Sequence, residues 1–186
     1  KYKGPHLIQE TDALGNTISY NYDNAGRKIA KIQENIKTLY EYDTLGRLSK
    51  TRQANQVEIT VFDFLNRVVE ERIEDPTGEV YHKVQYEYDL LGNVSATKEF
   101  SNINDYVKRE TLYNSQSMPI LEIDSLGYQT KISYQQTDHL EKETVDPSGR
   151  STIEVYDPLL RLKEIKILSS TGTLLANTSF TYDNRG

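Results

Sequence analysis

Eight aspartates in this 186-residue chain stand three positions ahead of a glycine: Asp12/Gly15, Asp23/Gly26, Asp43/Gly46, Asp75/Gly78, Asp89/Gly92, Asp124/Gly127, Asp146/Gly149 and Asp183/Gly186. Ser169/Gly172 repeats the spacing with a hydroxyl. Carboxylates set beside glycines at a regular interval could bind calcium in the loops of a β-roll or pair up for acid–base catalysis. A calcium loop, however, gathers several oxygen ligands within one short stretch, and single aspartates spaced about 11 residues apart do not. His6, His82 and His139 lie far apart, and none falls in a His-x-x-x-His or Glu-paired metal spacing. There is no cysteine, no Gly-x-Ser-x-Gly elbow and no phosphate loop. The residues therefore point to no catalytic group, no cofactor and no metal.

Turn chemistry explains the aspartates directly. A type I turn favours Asp, Asn or Ser at its first position, where the side chain accepts a backbone N–H two residues on, and Gly at its fourth. A Gly there with positive φ makes the bulge of a short hairpin loop. Pro76, Pro147 and Pro158 follow their turn aspartates, where φ near −65° is already required. The two Asp-Pro-x-Gly segments, Asp75–Gly78 and Asp146–Gly149, thus read as ordinary turns. Two other turns depart from the pattern. Asp157-Pro158-Leu159-Leu160 puts leucine where glycine is wanted, and Gln135-Gln136-Thr137-Asp138 keeps neither end, so both are expected to take another form.

The elements that carry these turns are strands. Turn starts recur at steps of mostly 10 to 14 residues, with longer steps where a turn has decayed, as at Glu34-Asn35 and Ser101-Asn102-Ile103-Asn104. Between them, segments such as Thr17–Tyr22, Thr38–Tyr42 and Val84–Tyr88 are rich in Val, Ile, Thr and Tyr and alternate with period two. No helical stripe exceeds two turns. The expected fold is all-β: consecutive antiparallel hairpins forming a single curved, twisted sheet, essentially without helix, in one array over residues 1–186.

Composition fits a wall better than a ball. Only 36% of residues are hydrophobic, 14 are Tyr, and mean hydropathy is −0.69, low for a chain that must fill a two-layer core. Tyr lies flat on a sheet while its hydroxyl stays wet. A net charge of −6 with no Lys/Arg cluster argues against a nucleic-acid partner, and no apolar run approaches a membrane span. The absence of cysteine is compatible with cytosol or export.

Within one hairpin the aromatic ahead of the turn Asp (Tyr22, Tyr42, Phe62, Tyr88, Tyr113, Tyr156, Tyr182) and the Arg after the Gly position (Arg27, Arg47, Arg67, Arg150, Arg161) are expected to meet across the hairpin end in a cation–π contact.

Taken together, Tyr22-Asp23-Asn24-Ala25-Gly26-Arg27, Tyr42-Asp43-Thr44-Leu45-Gly46-Arg47 and Tyr88-Asp89-Leu90-Leu91-Gly92-Asn93 resemble the YD repeat of RHS proteins, with weaker copies at Phe62–Val68 and Tyr156–Leu162. The resemblance covers nearly the whole chain. It implies a segment of a longer repeat protein of the kind found in bacterial polymorphic toxins, the B and C components of insecticidal toxin complexes and teneurins. In that family the repeats form a β-shell, which in the toxins encloses a toxic domain. The implied role is structural and non-catalytic, in a secreted or cell-surface, bacterial setting. The implied partners are neighbouring repeats and an enclosed toxin domain, with edge-strand self-association of the isolated segment. The alternative is an extracellular carbohydrate- or receptor-binding module using the Tyr-rich strand faces.

Overall fold

The computed structural model describes residues 1–102 and 105–183. Every regular element among them is a strand. In chain order these are β1 (Tyr2–Lys3), β2 (His6–Leu7), β3 (Gln9–Thr11), β4 (Thr17–Tyr22), β5 (Lys28–Gln33), β6 (Ile36–Tyr42), β7 (Leu48–Gln53), β8 (Gln56–Phe62) and β9 (Val68–Glu74). They continue with β10 (Val80–Tyr88), β11 (Val94–Phe100), β12 (Tyr106–Tyr113), β13 (Pro119–Ile123), β14 (Gln129–Gln136), β15 (Leu140–Val145), β16 (Ser151–Tyr156), β17 (Leu162–Leu168) and β18 (Leu174–Ser179). β1 pairs with β2 in a small ribbon of its own, and β3 to β18 follow one another in sequence order in an antiparallel sheet of 16 strands. An all-β chain of consecutive hairpins is thus the fold, as the spacing of turns requires.

The contacts divide the chain into two compact units, Lys1–Tyr86 with Lys98–Val107, and Glu87–Thr97 with Lys108–Gly186. In the first unit, Ala30 and Val57 are buried, each flanked on both sides by a paired strand: Ala30 opposite Asn21 and Leu39, Val57 opposite Arg52 and Glu74. In the second, Ala96, Ile132 and Val155 are buried. Among the described residues neither unit holds a buried polar residue, and every hydrophobic side chain but these five is half-buried or exposed. Stability therefore rests on ladders, turns and half-buried side chains spread along each unit, the nearest-neighbour pattern of repeat arrays.

Two turns differ from the sequence reading. Asp157 to Leu160 does not take another form: Leu160 itself adopts φ +59° and donates its N–H to Asp157 O at 2.9 Å, the geometry glycine supplies elsewhere. A two-residue turn at Ala54-Asn55, with Ala54 at φ +47°, joins β7 to β8 where no break was expected. The turn at Thr137–His139 is different in form, as its sequence indicates: Gln136 pairs with Leu140, and three residues close the loop. Glu34 and Asn35 take φ +49° and +66° in a two-residue turn. Of the segment at Ser101–Asn104, Ile103 and Asn104 lie outside the described residues, as do Asn184, Arg185 and Gly186 of the Asp183/Gly186 motif.

Candidate functional site: the arginine clamp between hairpins

The repeated site is built from the turn aspartate. Asp23 Oδ1 accepts the backbone N–H of Ala25 and of Arg27, each at 2.9 Å, and Oδ2 accepts Arg27 Nε at 2.8 Å. Asp43 does the same with Leu45 and Arg47, Asp63 with Leu65 and Arg67, and Asp157 with Leu159 and Arg161. One carboxylate thus satisfies two amides the bend leaves without strand partners and fixes the plane of a guanidinium. At Asp12 and Asp89 an asparagine takes the arginine's place, Asn16 and Asn93 donating from Nδ2. Thr77 and Ser148 add hydroxyl donors at Asp75 and Asp146, where Glu79 and Arg150 supply the second amide. Asp124 accepts the amides of Leu126 and Tyr128.

At eight of these turns the hydrogen bonds favour the ionised carboxyl. Asp23, Asp43, Asp63 and Asp157 lie below the usual aspartate value, chiefly through the backbone N–H of the arginine four residues on. Asp12 and Asp89 are lowered chiefly by the asparagine side chain. At Asp75 and Asp146 the hydroxyl of Thr77 or Ser148 is the main cause.

Gly15, Gly26, Gly46, Gly78, Gly92, Gly127 and Gly149 all sit at positive φ at the end of these turns. At two of them the missing Cβ makes room for a side chain of the preceding hairpin, and at Gly149 for Ser170, whose Cβ would lie 3.1 Å from the added one. A Cβ on Gly26 would stand 3.0 Å from His6 Cε1, and one on Gly46 would lie 3.4 Å from Arg27 Nη1. The bare turn is the surface on which a side chain from the preceding hairpin rests.

That side chain is the clamp, and it corrects the expected pairing. The guanidinium of Arg27 lies over the ring of Tyr42 at 4.7 Å, not over Tyr22 of its own hairpin; Arg47 lies over Phe62 at 4.5 Å, and Arg161 over Tyr182 at 4.7 Å. Register explains why. A bulge ahead of the turn pairs Tyr22 with Lys28, Tyr42 with Leu48, Phe62 with Val68 and Tyr156 with Leu162, so the arginine stays inside the loop, pinned by Asp, with its open face toward the next hairpin. The aromatic answers with its hydroxyl. Tyr42 Oη donates to Lys28 O at 2.7 Å, and Tyr182 Oη to Leu162 O at 2.6 Å, in each case the carbonyl just after the clamping arginine. Where the aromatic is Phe62, with no hydroxyl, Arg47 Nη1 compensates by donating to Asp63 O at 3.1 Å and Asn66 Oδ1 at 3.2 Å.

Sequence reasoning missed the first rung. His6 stacks on Tyr22, with ring centroids 4.6 Å apart, and Tyr22 Oη donates to Leu7 O at 2.9 Å, so His6-Leu7 stands where Arg27-Lys28 stands one hairpin later. The available signal was distance: His6 precedes Tyr22 by nearly the interval that separates Arg27 from Tyr42. Tyr88 and Tyr156 occupy the same pre-turn position at the ends of β10 and β16.

Among the described residues no group of three or more His, Asp or Glu side chains is placed to hold a metal ion, and no helix is long and apolar enough to cross a membrane. Arg72, between Glu70 and Glu74, forms a half-buried charge cluster on one face of the first unit, with Lys83 and Gln85 also on Glu70. Every group in it is paired.

Comparison with known proteins places this geometry. Residues 4–35, spanning the His6 rung and the Asp23 turn, match the family model of the RHS repeat. A chain of the Photorhabdus luminescens Tc holotoxin pore shares the fold, with a TM-score of 0.57 at 20% identity, covering 97% of this chain and 9% of that one. The TcdB2-TccC3 structure aligns over 96% of this chain and 14% of its own at 13% identity, with a TM-score of 0.35. No curated protein matches. This chain therefore spans a small fraction of the length of the solved chains it aligns with. The hairpin unit that recurs along the chain is thus similar to the RHS repeat where the family model matches, over residues 4–35, and shares its fold with the toxin chain.

Proposed function

We propose that the chain is a wall segment of an RHS-type shell, whose work is steric: it separates a passenger domain from solvent and from the producing cell, and carries out no catalysis. The observation that carries this reading is the clamp. Arg27, Arg47 and Arg161 are each bound to their own turn and lie on the aromatic of the next hairpin, so these neighbouring hairpins are joined by side chains as well as by backbone ladders. Such a construction extends a layer sideways without needing a core. The Tc toxin likeness supports a secreted or cell-surface bacterial setting, with neighbouring repeats and a toxin domain as partners. The test is protection from protease in the parent chain. A domain carried downstream of the repeats resists added protease while the array is whole and is cut when residues 17–62 are deleted. Equal cleavage in both refutes the shell reading.

A second reading rests on a separate observation. Two adjoining depressions in the first unit, of 430 and 390 Å3, share Thr51 and Gln53 and are lined by amides, hydroxyls, the carboxylates of Glu34 and Glu58, Ile36, Ala54, Lys31 and Tyr40, a mixed polar surface that suits sugar hydroxyls. Of the two tyrosines of β6, Tyr40 borders this groove, whereas Tyr42 is committed to the Arg27 clamp. Calorimetric titration against a glycan panel distinguishes the readings: specific binding lost in Tyr40→Ala favours a recognition module, and its absence favours the wall.

A further inference from the structure

The loop that closes β14 onto β15 lacks the Asp-x-x-Gly device. Gln136 pairs with Leu140, and Thr137 donates its N–H to His139 O at 3.0 Å. In place of a turn aspartate gripping an arginine, a histidine grips two carboxylates. His139 Nδ1 lies 2.6 Å from Asp138 Oδ1, and Nε2 lies 2.9 Å from Glu141 Oε1. Thr137 Oγ1 donates to Asp138 Oδ1 as well, at 3.0 Å. An ionised carboxylate can only accept, so each contact requires an N–H on the ring, and an imidazole carries both only as the cation. A neutral ring keeps one of them and turns a lone pair toward the other carboxylate.

The surroundings bring further charges. Asp138, His139 and Glu141 border a 350 Å3 depression with Asp157 from the next turn on that side and Lys163, Glu164 and Lys166 from β17. Lys166 Nζ is held by Glu164 Oε2 at 3.0 Å. On β15 and β16, Lys142 Nζ is held by Glu154 Oε2 at 2.9 Å, and Leu140 and Glu141 pair with Tyr156 and Val155.

We propose that His139 is an acid-set latch: protonated, its ring ties Asp138 to Glu141 across the tip and closes the β14–β15 hairpin, and on losing its proton it releases one carboxylate and loosens the tip. Glu141 first and Asp138 second raise the affinity of the ring for its proton above that of an ordinary histidine. The latch is therefore fully set below the ordinary value of 6.5 and is lost as pH rises through the raised one.

The test uses NMR on the intact 186-residue chain, following the His139 ring resonances and the exchange of the Thr137 amide, corrected for intrinsic base catalysis. The expected result is a His139 midpoint above the ordinary histidine value, with Thr137 protection falling across the same pH range. Glu141→Gln shifts the midpoint down, and His139→Gln, which cannot titrate, removes the pH dependence of protection. A midpoint at or below the ordinary value, a midpoint that Glu141→Gln leaves in place, or protection with the same pH dependence in His139→Gln overturns the proposal.

Discussion

The guanidinium of Arg47 is shared between two hairpins: Nε is 2.6 Å from Asp43 Oδ2 in its own turn, while the carbon at its centre sits 4.5 Å from the ring centroid of Phe62 in the next. If the clamp joins hairpins energetically, the two positions must be coupled. Arg47→Ala is expected to cost about 1–3 kcal/mol, because it strips a partner from Asp43 and exposes one ring face. In a double-mutant cycle with Phe62→Leu the coupling should be about 0.5–1 kcal/mol. Arg47→Lys should recover only part, since an ammonium cannot bond Asp43 and lie flat on the ring together. Urea titrations of the four proteins give the number. Additive losses would show that the contact is incidental.

Glycine does two jobs at Gly26 and one at Gly92. Both have positive φ, +79° and +89°, but only Gly26 has a neighbour, the His6 ring, where a Cβ would go. Alanine at either position should cost about 1–2 kcal/mol of backbone strain. Gly26→Ala should cost more, because His6 must leave Tyr22 or shift. Thermal melts of both variants check this, and a second pair with His6→Ala behind each should bring the two costs together.

Leu160 is a leucine held at φ +59° with its side chain 67% exposed. Leu160→Gly relieves about 1 kcal/mol of left-handed strain and gives back part of it as unfolded-state entropy, for a net gain of about 0.5 kcal/mol. For a chain of this size that is a rise in Tm of roughly 1–2 °C. A fall in Tm would mean that the exposed leucine does more than occupy the turn.

Acid should unfasten the turns. Eight turn carboxyls lie below the ordinary aspartate value of 3.8 when folded, so the stability they contribute is present above that value and drains away as pH falls through their lowered ones. Melting temperature should be flat from about pH 7 to 5 as far as these groups are concerned and drop steeply below about pH 4. Asp43→Asn, which keeps one acceptor oxygen but no charge, should make the drop shallower. A Tm unchanged down to pH 2 would contradict the role given to the carboxylates.

Strands and turns were legible in the sequence because their causes are local. Asp43 needs only Leu45 and Arg47, and the alternation in Thr38–Tyr42 needs only its own residues. The direction of the arginines was not legible, since it depends on the bulge that pairs Tyr42 with Leu48 and on the approach of a separate hairpin. Leu160 was misread because glycine preference is an energetic bias of about a kilocalorie, which two hydrogen bonds to Asp157, from the amides of Leu159 and Arg161, outweigh. The Ala54 turn left no mark, as two-residue loops tolerate residues other than glycine when the flanking ladder, here Gln53 opposite Gln56, fixes the ends. His6 escaped notice because one histidine at a rung otherwise held by arginine has no pattern of its own.

Along the first unit the turns at Asp23, Asp43 and Asp63 follow β4, β6 and β8, each two strands on from the last of its kind. Antiparallel strands alternate in direction, so inserting or deleting a single strand between an arginine and the aromatic it clamps would leave the two on opposite borders. Growth or shrinkage within a run of clamped hairpins is thereby quantised: evolution, or an engineer, keeps every clamp only by changing the length by even numbers of strands.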